Sequence, residues 1–163
     1  KEIRLQSMDH IKEIKNGTEL NIQELLIEMA KNDISSEVRA TAIGWITELY
    51  IDPGTLEMKD TTQDSNIFSS LLLKTIDDPS FMVQGESLLA LGMVNAEKAM
   101  GIAGKLDEIT KEKLALEIAT IYSSHGSSKE NDFFLTAYEN GSKYEKSQLI
   151  EIYASYLMNQ NDI

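Results

Sequence analysis

One pattern of acidic and apolar residues occurs twice in this chain, forty-five residues apart. The first copy is matched position by position in the second, with these pairs: Asp33 and Asp78, Val38 and Val83, Ala42 and Ser87, Ile43 and Leu88, Ile46 and Leu91. In each copy an amphipathic helix is followed by an acidic break and a second helix with its apolar residues on one face. Repeats of this length are typical of solenoids, in which each helix pair buries its apolar face against its neighbours. The repeat therefore predicts an all-α superhelix.

The composition agrees with an all-α domain that has its own core. The chain has 163 residues, 42% of them hydrophobic, with two prolines and no cysteine. Leu, Ile, Ala, Glu and Lys dominate, and the alternation of apolar and polar residues that strands require is almost absent. We therefore expect a single helical-repeat domain over residues 1–163. Without cysteine there is neither a disulfide nor a thiolate metal site.

The charge and the hydropathy argue against two classes of partner. The net charge is −12, so a phosphate backbone would be repelled and we expect no nucleic-acid binding. The longest uncharged apolar stretches, such as residues 87–96, are far shorter than the roughly 20 residues of a membrane span. We therefore expect a soluble chain without membrane contact. Solvated helix faces explain the acidity, and an acidic surface that attracts a cationic peptide or partner is the alternative.

Apolar spacing and turn residues predict a leading helix followed by four antiparallel helix pairs. The leading helix is expected within residues 1–17, and the pairs are expected over residues 20–50, 66–94, 96–125 and 128–159. The loop between the first two pairs is expected over residues 55–64, which are polar and aperiodic. Thr110 and Gly126 are expected to cap the helix between them. The inward faces of the last pair are expected to contain Phe133, Phe134, Ala137, Tyr138, Leu149, Ile152, Tyr153, Tyr156 and Leu157.

The acidic break of each copy has a structural explanation. Asp33 and Asp78 stand between the two helices of their pairs, where a carboxylate can accept hydrogen bonds from the unpaired N–H groups of the next helix. Arg39 places a guanidinium beside this junction, so a ladder of ion pairs between adjacent repeats is expected. The second copy has Gln84 at the equivalent position, so the ladder would be incomplete.

The titratable residues do not predict a catalytic, cofactor or metal site. The two histidines, His10 and His125, lack a partner at helical metal-ligand spacing, and His125 is better explained as a helix C-terminal residue. Ser123 and Ser124 adjoin His125 in sequence, which does not provide the geometry of a triad. The acidic residues near the long loop do not have the spacing of a calcium loop; they are Asp52, Glu57, Asp60 and Asp64.

Aromatic residues leave two interpretations open. Trp45 lies on the apolar face of its helix, where core packing competes with a role as an exposed anchor for a partner. The tyrosines of the last pair form either an aromatic core or a terminal interface; they are Tyr138, Tyr144, Tyr153 and Tyr156.

The junction residues resemble HEAT-type repeats, whose pattern is Asp-x-x-x-x-Val-Arg-x-x-Ala. The first copy matches at Asp33, Val38, Arg39 and Ala42, whereas the second keeps Asp78 and Val83 but has Gln84 and Ser87. More narrowly, residues 33–49, 78–94 and the closing aromatic pair over 132–156 resemble the C-terminal helical region of M1-family zinc aminopeptidases, especially large bacterial ones.

This resemblance implies a supporting role rather than chemistry. In the M1 family zinc is held by His-Glu-x-x-His and a downstream Glu on a preceding domain, and these motifs are not present here, nor is Gly-x-Met-x-Asn. The resemblance therefore implies no catalytic, cofactor or metal residue in this chain, with zinc in the parent protein. It implies a helical region that packs against the upstream catalytic domain and shapes access to it.

A free-standing HEAT-like scaffold that binds another protein is the alternative. Because the chain opens on Lys1, we expect a C-terminal fragment of a larger protein. The resemblance implies a soluble bacterial protein of the cytoplasm or periplasm.

Overall fold

A computed structural model describes residues 22–51 and 64–161, and these residues are almost entirely helical. The prediction of an all-α chain is confirmed for them. In chain order the helices are α1 (Ile22–Asn32), α2 (Ser36–Tyr50), α3 (Asp64–Thr75), α4 (Phe81–Val94), α5 (Ala96–Ala103), α6 (Glu108–Lys113), α7 (Ala115–His125), α8 (Asn131–Asn140) and α9 (Lys143–Asn161), with a 3-10 turn at Ser128–Glu130. Among the described helices, none combines the length and apolar character needed to cross a bilayer. The predicted leading helix lies outside the described residues, as does the predicted loop apart from Asp64.

The prediction of one helix between Thr110 and Gly126 is wrong in one respect, because the structure divides this region into α6 and α7. Leu114 separates them with φ −110° and ψ 24°, and its side chain is buried. The predicted cap is also wrong, because Asp107 rather than Thr110 is the N-cap residue of α6. Asp107 Oδ1 accepts hydrogen bonds from the backbone N–H groups of Ile109 and Thr110, each at 3.0 Å, and the Thr110 hydroxyl donates to Asp107 Oδ2.

Gly126 follows α7 as predicted, but not in a left-handed conformation. Its φ of −75° and ψ of 171° are extended backbone that any residue adopts. Glycine is needed here because a Cβ atom would lie 2.5 Å from the carbonyl oxygen of Tyr122. The end of α7 therefore depends on a close backbone approach.

The described residues divide into two compact units, the first ending at residue 90 and the second beginning at residue 91. In the first unit α1 packs on α2, and both contact α3. Val38 and Val83 are both fully buried, and so are Ala42 and its counterpart Ser87. The Ser87 hydroxyl lies 2.7 Å from the Val83 carbonyl oxygen and 2.8 Å from Thr75 Oγ1, so its polarity is satisfied within the core.

The burial pattern confirms that the two copies use equivalent positions. Ile46 of α2 and Leu91 of α4 are both fully buried, as Val38 and Val83 are. Burial at matched positions is what repeated helix pairs require, because each pair needs a neighbour to cover its apolar face.

The second unit is built around α7, which packs on α9 and, less extensively, on α5 and α8. Its core is aromatic: the rings of Phe134 and Tyr156 have centroids 4.6 Å apart, and Tyr153 stacks on Tyr156 at 5.8 Å. Side chains of α9 also satisfy carbonyl groups at the end of α7. Asn159 Nδ2 donates to Ser123 O at 2.8 Å, and Gln160 Nε2 donates to Gly126 O at 3.0 Å.

The predicted inward face of the last helix pair is confirmed in part. Phe134, Ala137, Leu149 and Tyr156 are buried, and Phe133, Ile152 and Tyr153 are half-buried. The prediction is wrong for Tyr138 and Leu157, which are exposed. Leu157 follows the buried Tyr156 by one position, which turns its side chain about 100° around the helix. Tyr138 instead lies under the ammonium group of Lys146, whose Nζ is 5.5 Å from the ring centroid.

Candidate functional site

The two acidic junctions of the first unit have the same local hydrogen bonds. Asp33 Oδ1 accepts from the backbone N–H of Ser35 at 2.8 Å, and Asp78 Oδ1 accepts from that of Ser80 at 2.9 Å. A carboxylate that accepts from the N–H two residues later forms an Asx turn, which orients the chain into the next helix. The predicted structural role of both aspartates is confirmed.

The residue six positions after each aspartate closes the same loop from the other side. Arg39 Nη1 donates to Asp33 O at 2.7 Å, and Gln84 Nε2 donates to Asp78 O at 2.6 Å. The substitution of glutamine for arginine in the second copy therefore preserves the bond within the loop. The repeat extends to the level of individual hydrogen bonds.

Arg39 also joins the two junctions to each other. Its Nε donates to Asp78 Oδ2 and its Nη2 donates to Asp78 Oδ1, both at 2.8 Å. Both side chains are 12% exposed. This bidentate ion pair is the predicted ladder step between the copies, and Gln84, which has no charge, does not provide a second one.

The environment of the pair keeps both groups charged. The hydrogen bonds to Asp78 raise the pKa of Arg39. Burial by itself would raise the pKa of Asp78, but the hydrogen bonds from Arg39 and Ser80 outweigh it and lower that pKa below its usual value. Since the carboxylate and the guanidinium satisfy each other, the pair is suited to holding two loops together rather than to proton transfer.

A cleft of about 260 Å³ lies in the second unit, between α6, α8 and α9. Its apolar floor is formed by Ala115, Phe133, Ala137 and Leu149. Its charged rim is largely neutralised internally, because Lys111 Nζ lies 3.0 Å from Glu108 Oε1 and Lys113 Nζ lies 4.0 Å from Glu112 Oε1. The rim of the cleft supplies no paired nucleophile and base.

Two carboxylates near this cleft have pKa values changed in opposite directions. A hydrogen bond from the Ser142 hydroxyl and another from its backbone N–H lower the pKa of Glu145. Burial raises the pKa of Glu117, and the negative charge of Glu145 adds to the effect. Glu117 was not among the residues singled out from the sequence, because its position in the first turn of α7 is ordinary for a solvent-exposed glutamate.

The residues considered for catalysis do not form an active site in the described part of the chain. Ser123 Oγ and Ser124 Oγ both donate to the carbonyl oxygen of Thr120, at 2.9 Å and 3.3 Å, and His125 is exposed at the end of α7. Across residues 22–51 and 64–161, no three His, Cys, Asp or Glu side chains come together as metal ligands.

Other candidates can be placed only in part. His10, Asp52, Glu57 and Asp60 lie outside the described residues, and Asp64 begins α3.

The structure also separates the aromatic candidates. Trp45 is half-buried. Tyr153 and Tyr156 belong to the aromatic core, and the Tyr153 hydroxyl donates to Asn131 Oδ1 at 2.6 Å. Of the two interpretations, the aromatic core is wrong for Tyr138 and Tyr144, which are exposed.

No protein-family model, curated protein or solved structure matches the chain.

Proposed function

We propose that this chain is a HEAT-like helical-repeat scaffold for protein–protein interaction. The observation that carries the proposal is the pair of equivalent junctions joined by Arg39. Each loop is closed by its own Asx turn and its own side-chain bond to the aspartate carbonyl, and Arg39 then links the first loop to Asp78 of the second. Repeated units with nearest-neighbour links produce extended, rigid surfaces, which such proteins use to bind partners.

The more specific role stays a prediction. The resemblance to M1-family zinc aminopeptidases implies that this region packs against an upstream catalytic domain of the same polypeptide and shapes access to it. It also implies that zinc is held by that upstream domain. A His-Glu-x-x-His motif in the preceding coding sequence is the expected result, and a complete preceding sequence without one would exclude this role.

The scaffold proposal is tested by capture of a partner. The immobilised chain is incubated with lysate of its source organism, and retained proteins are identified by mass spectrometry against an unrelated helical protein of similar net charge. We expect a specific protein that also captures this chain in the reciprocal experiment. Failure to enrich any protein would contradict the proposal, and hydrolysis of aminoacyl substrates by the chain alone would point to an enzyme instead.

A further inference from the structure

Large apolar side chains are exposed on the two junction loops and at the start of α4. Ile34, between Asp33 and Ser35, is 89% exposed, and Met82 and Phe81 are 54% and 39% exposed. Pro79, the counterpart of Ile34 in the second copy, is exposed as well. Isolated exposed apolar residues are common, whereas a group of them on one edge is a feature of interaction surfaces. We call these four residues the junction edge.

Hydrogen bonds fix the two loops that carry Ile34 and Pro79 of the junction edge. Arg39 contacts Asp33 O at 2.7 Å and the Asp78 carboxylate at 2.8 Å, so the loops that carry Ile34 and Pro79 lie side by side. The Asx turns and the Gln84 bond fix each loop separately. Loops with so many internal bonds lose little conformational freedom when a partner binds, which favours affinity.

The charge around the junction edge is negative. Residues 33–39 and 77–84 contain four carboxylates and one guanidinium, that of Arg39. Asp77 is exposed, whereas Asp78 is neutralised by its pair with Arg39. Two lysines that are close in sequence, Lys31 and Lys74, line the groove between α1 and α3. The edge therefore combines apolar anchors with an acidic border, and the chain as a whole has a net charge of −12.

We propose that the junction edge binds a cationic amphipathic segment of a partner protein. Apolar side chains of the segment cover Ile34 and Met82, and its Lys or Arg residues lie against the acidic border that includes Asp77. This inference rests on the proposed scaffold function and names the surface and the partner chemistry. Because Asp77 is exposed, the interaction weakens as salt screens its charge.

The test uses a fluorescein-labelled helical peptide of leucine and lysine, about 15 residues long. Its binding to the full chain is measured by fluorescence anisotropy, beside a peptide in which glutamate replaces lysine. We expect the Ile34→Ser/Met82→Ser variant to bind the lysine peptide about tenfold more weakly or worse, because both apolar anchors are lost. The matched control is Leu157→Ser/Met158→Ser, which removes two exposed apolar side chains from α9 and is expected to keep wild-type affinity.

Charge is tested with a second pair of variants. Asp77→Asn is expected to weaken binding of the lysine peptide several-fold, and Asp132→Asn, at an exposed position of α8, is expected to leave it unchanged. The proposal would be overturned if the junction-edge and control variants lost equal affinity for the lysine peptide. It would also be overturned if the wild type bound the glutamate peptide equally well, or bound neither peptide. Circular dichroism verifies folding, and the single variants Ile34→Ser and Met82→Ser replace the double variant if it unfolds.

The failure of this inference is distinguishable from that of the scaffold function. If the wild type captures a partner from lysate and the Ile34→Ser/Met82→Ser variant retains it equally, the junction edge is not the binding surface although the scaffold function stands. If the wild type captures no partner, the scaffold function fails, and the peptide measurements still decide whether the edge recognises cationic amphipathic segments.

Discussion

Arg39→Met should destabilise the first unit by about 3 kcal/mol. Methionine keeps an unbranched side chain in place of the arginine stem but removes the guanidinium, which makes two bonds to Asp78 and one to Asp33 O. Breaking a buried ion pair from one side costs about 3–5 kcal/mol, because the remaining charge is left without a partner. The remaining 12% exposure of Asp78 lets water reach the carboxylate, so we expect a value at the lower end.

Trp45 makes the measurement specific to this unit. It is the only tryptophan and lies in α2, so its fluorescence during urea unfolding follows the first unit, with circular dichroism following the whole chain. The matched control is Gln84→Met, which loses one neutral hydrogen bond to Asp78 O. That bond contributes about 1 kcal/mol, so the control should lose roughly a third as much stability as Arg39→Met.

The pH dependence identifies the mechanism. In the wild type the pKa of Asp78 is lowered on folding, so the pair stabilises the native state above the unfolded pKa of about 3.9, and this contribution is lost as the pH falls through the lower folded value. Without Arg39, burial of Asp78 raises its pKa, and protonation then relieves the unpaired charge. The stability difference between wild type and Arg39→Met should therefore be largest near pH 7 and shrink toward about pH 4.

A double-mutant cycle with Asp78→Asn completes the test. Coupling of about 2 kcal/mol between the two positions is expected, because the side chains share two charge-assisted hydrogen bonds. A loss no greater than that of Gln84→Met, a difference that is constant with pH, or coupling near zero would refute this account of the junction.

Three further predictions concern the second unit. Gly101→Ala should stabilise it by up to about 1 kcal/mol in urea unfolding followed by circular dichroism, because a Cβ meets no atom within 4 Å and alanine favours helix. Gly126→Ala should destabilise it by about 2 kcal/mol in the same assay, since the new Cβ would clash with the Tyr122 carbonyl oxygen; equal effects at the two glycines would contradict the packing described. Glu117→Gln should raise the urea midpoint at pH 7. Burial first, and then the charge of Glu145, raises the pKa of Glu117 on folding. The wild type therefore loses stability as the pH rises above about 4.3, the pKa of a glutamate in the unfolded chain. The increase in urea midpoint caused by Glu117→Gln should vanish below that pH.

The sequence was sufficient for helices whose limits are set locally. α2 ends at Tyr50, where the first helix pair was expected to end, because Val38, Ala42 and Ile46 keep helical spacing up to the Asp-Pro-Gly sequence that follows. The division between α6 and α7 was not predictable in this way. Leu114 leaves the helical conformation and is buried. The spacing of apolar residues within one segment does not show where such tertiary packing interrupts a helix. Asp107 and Thr110 are both good capping residues, and only the structure shows which one accepts the free N–H groups.

The functional features also divide into those that the sequence predicts and those that depend on tertiary packing. The bond between Arg39 and Asp78 was predictable as a ladder step, because the repeat places a guanidinium beside one acidic junction and an equivalent carboxylate in the next copy. The exposure of Ile34 was not, since a single apolar residue in a turn has no periodicity to show which way it faces. Glu117 is similar: its burial, and the nearby charge of Glu145 that adds to its raised pKa, depend on how α7 packs against α9, which lies more than twenty residues later in the chain.

Comparison of Arg39 with Gln84 separates closure of a loop from coupling between loops. Both side chains donate to the carbonyl oxygen of the aspartate six residues earlier, at 2.7 Å and 2.6 Å, so closure does not require a charge. Only Arg39 has further donors that reach the next aspartate. The stability lost in Arg39→Met beyond that lost in Gln84→Met therefore measures the coupling between the two loops. If that excess is large, the loops carrying Ile34 and Pro79 are held together by the ion pair rather than by the helices alone.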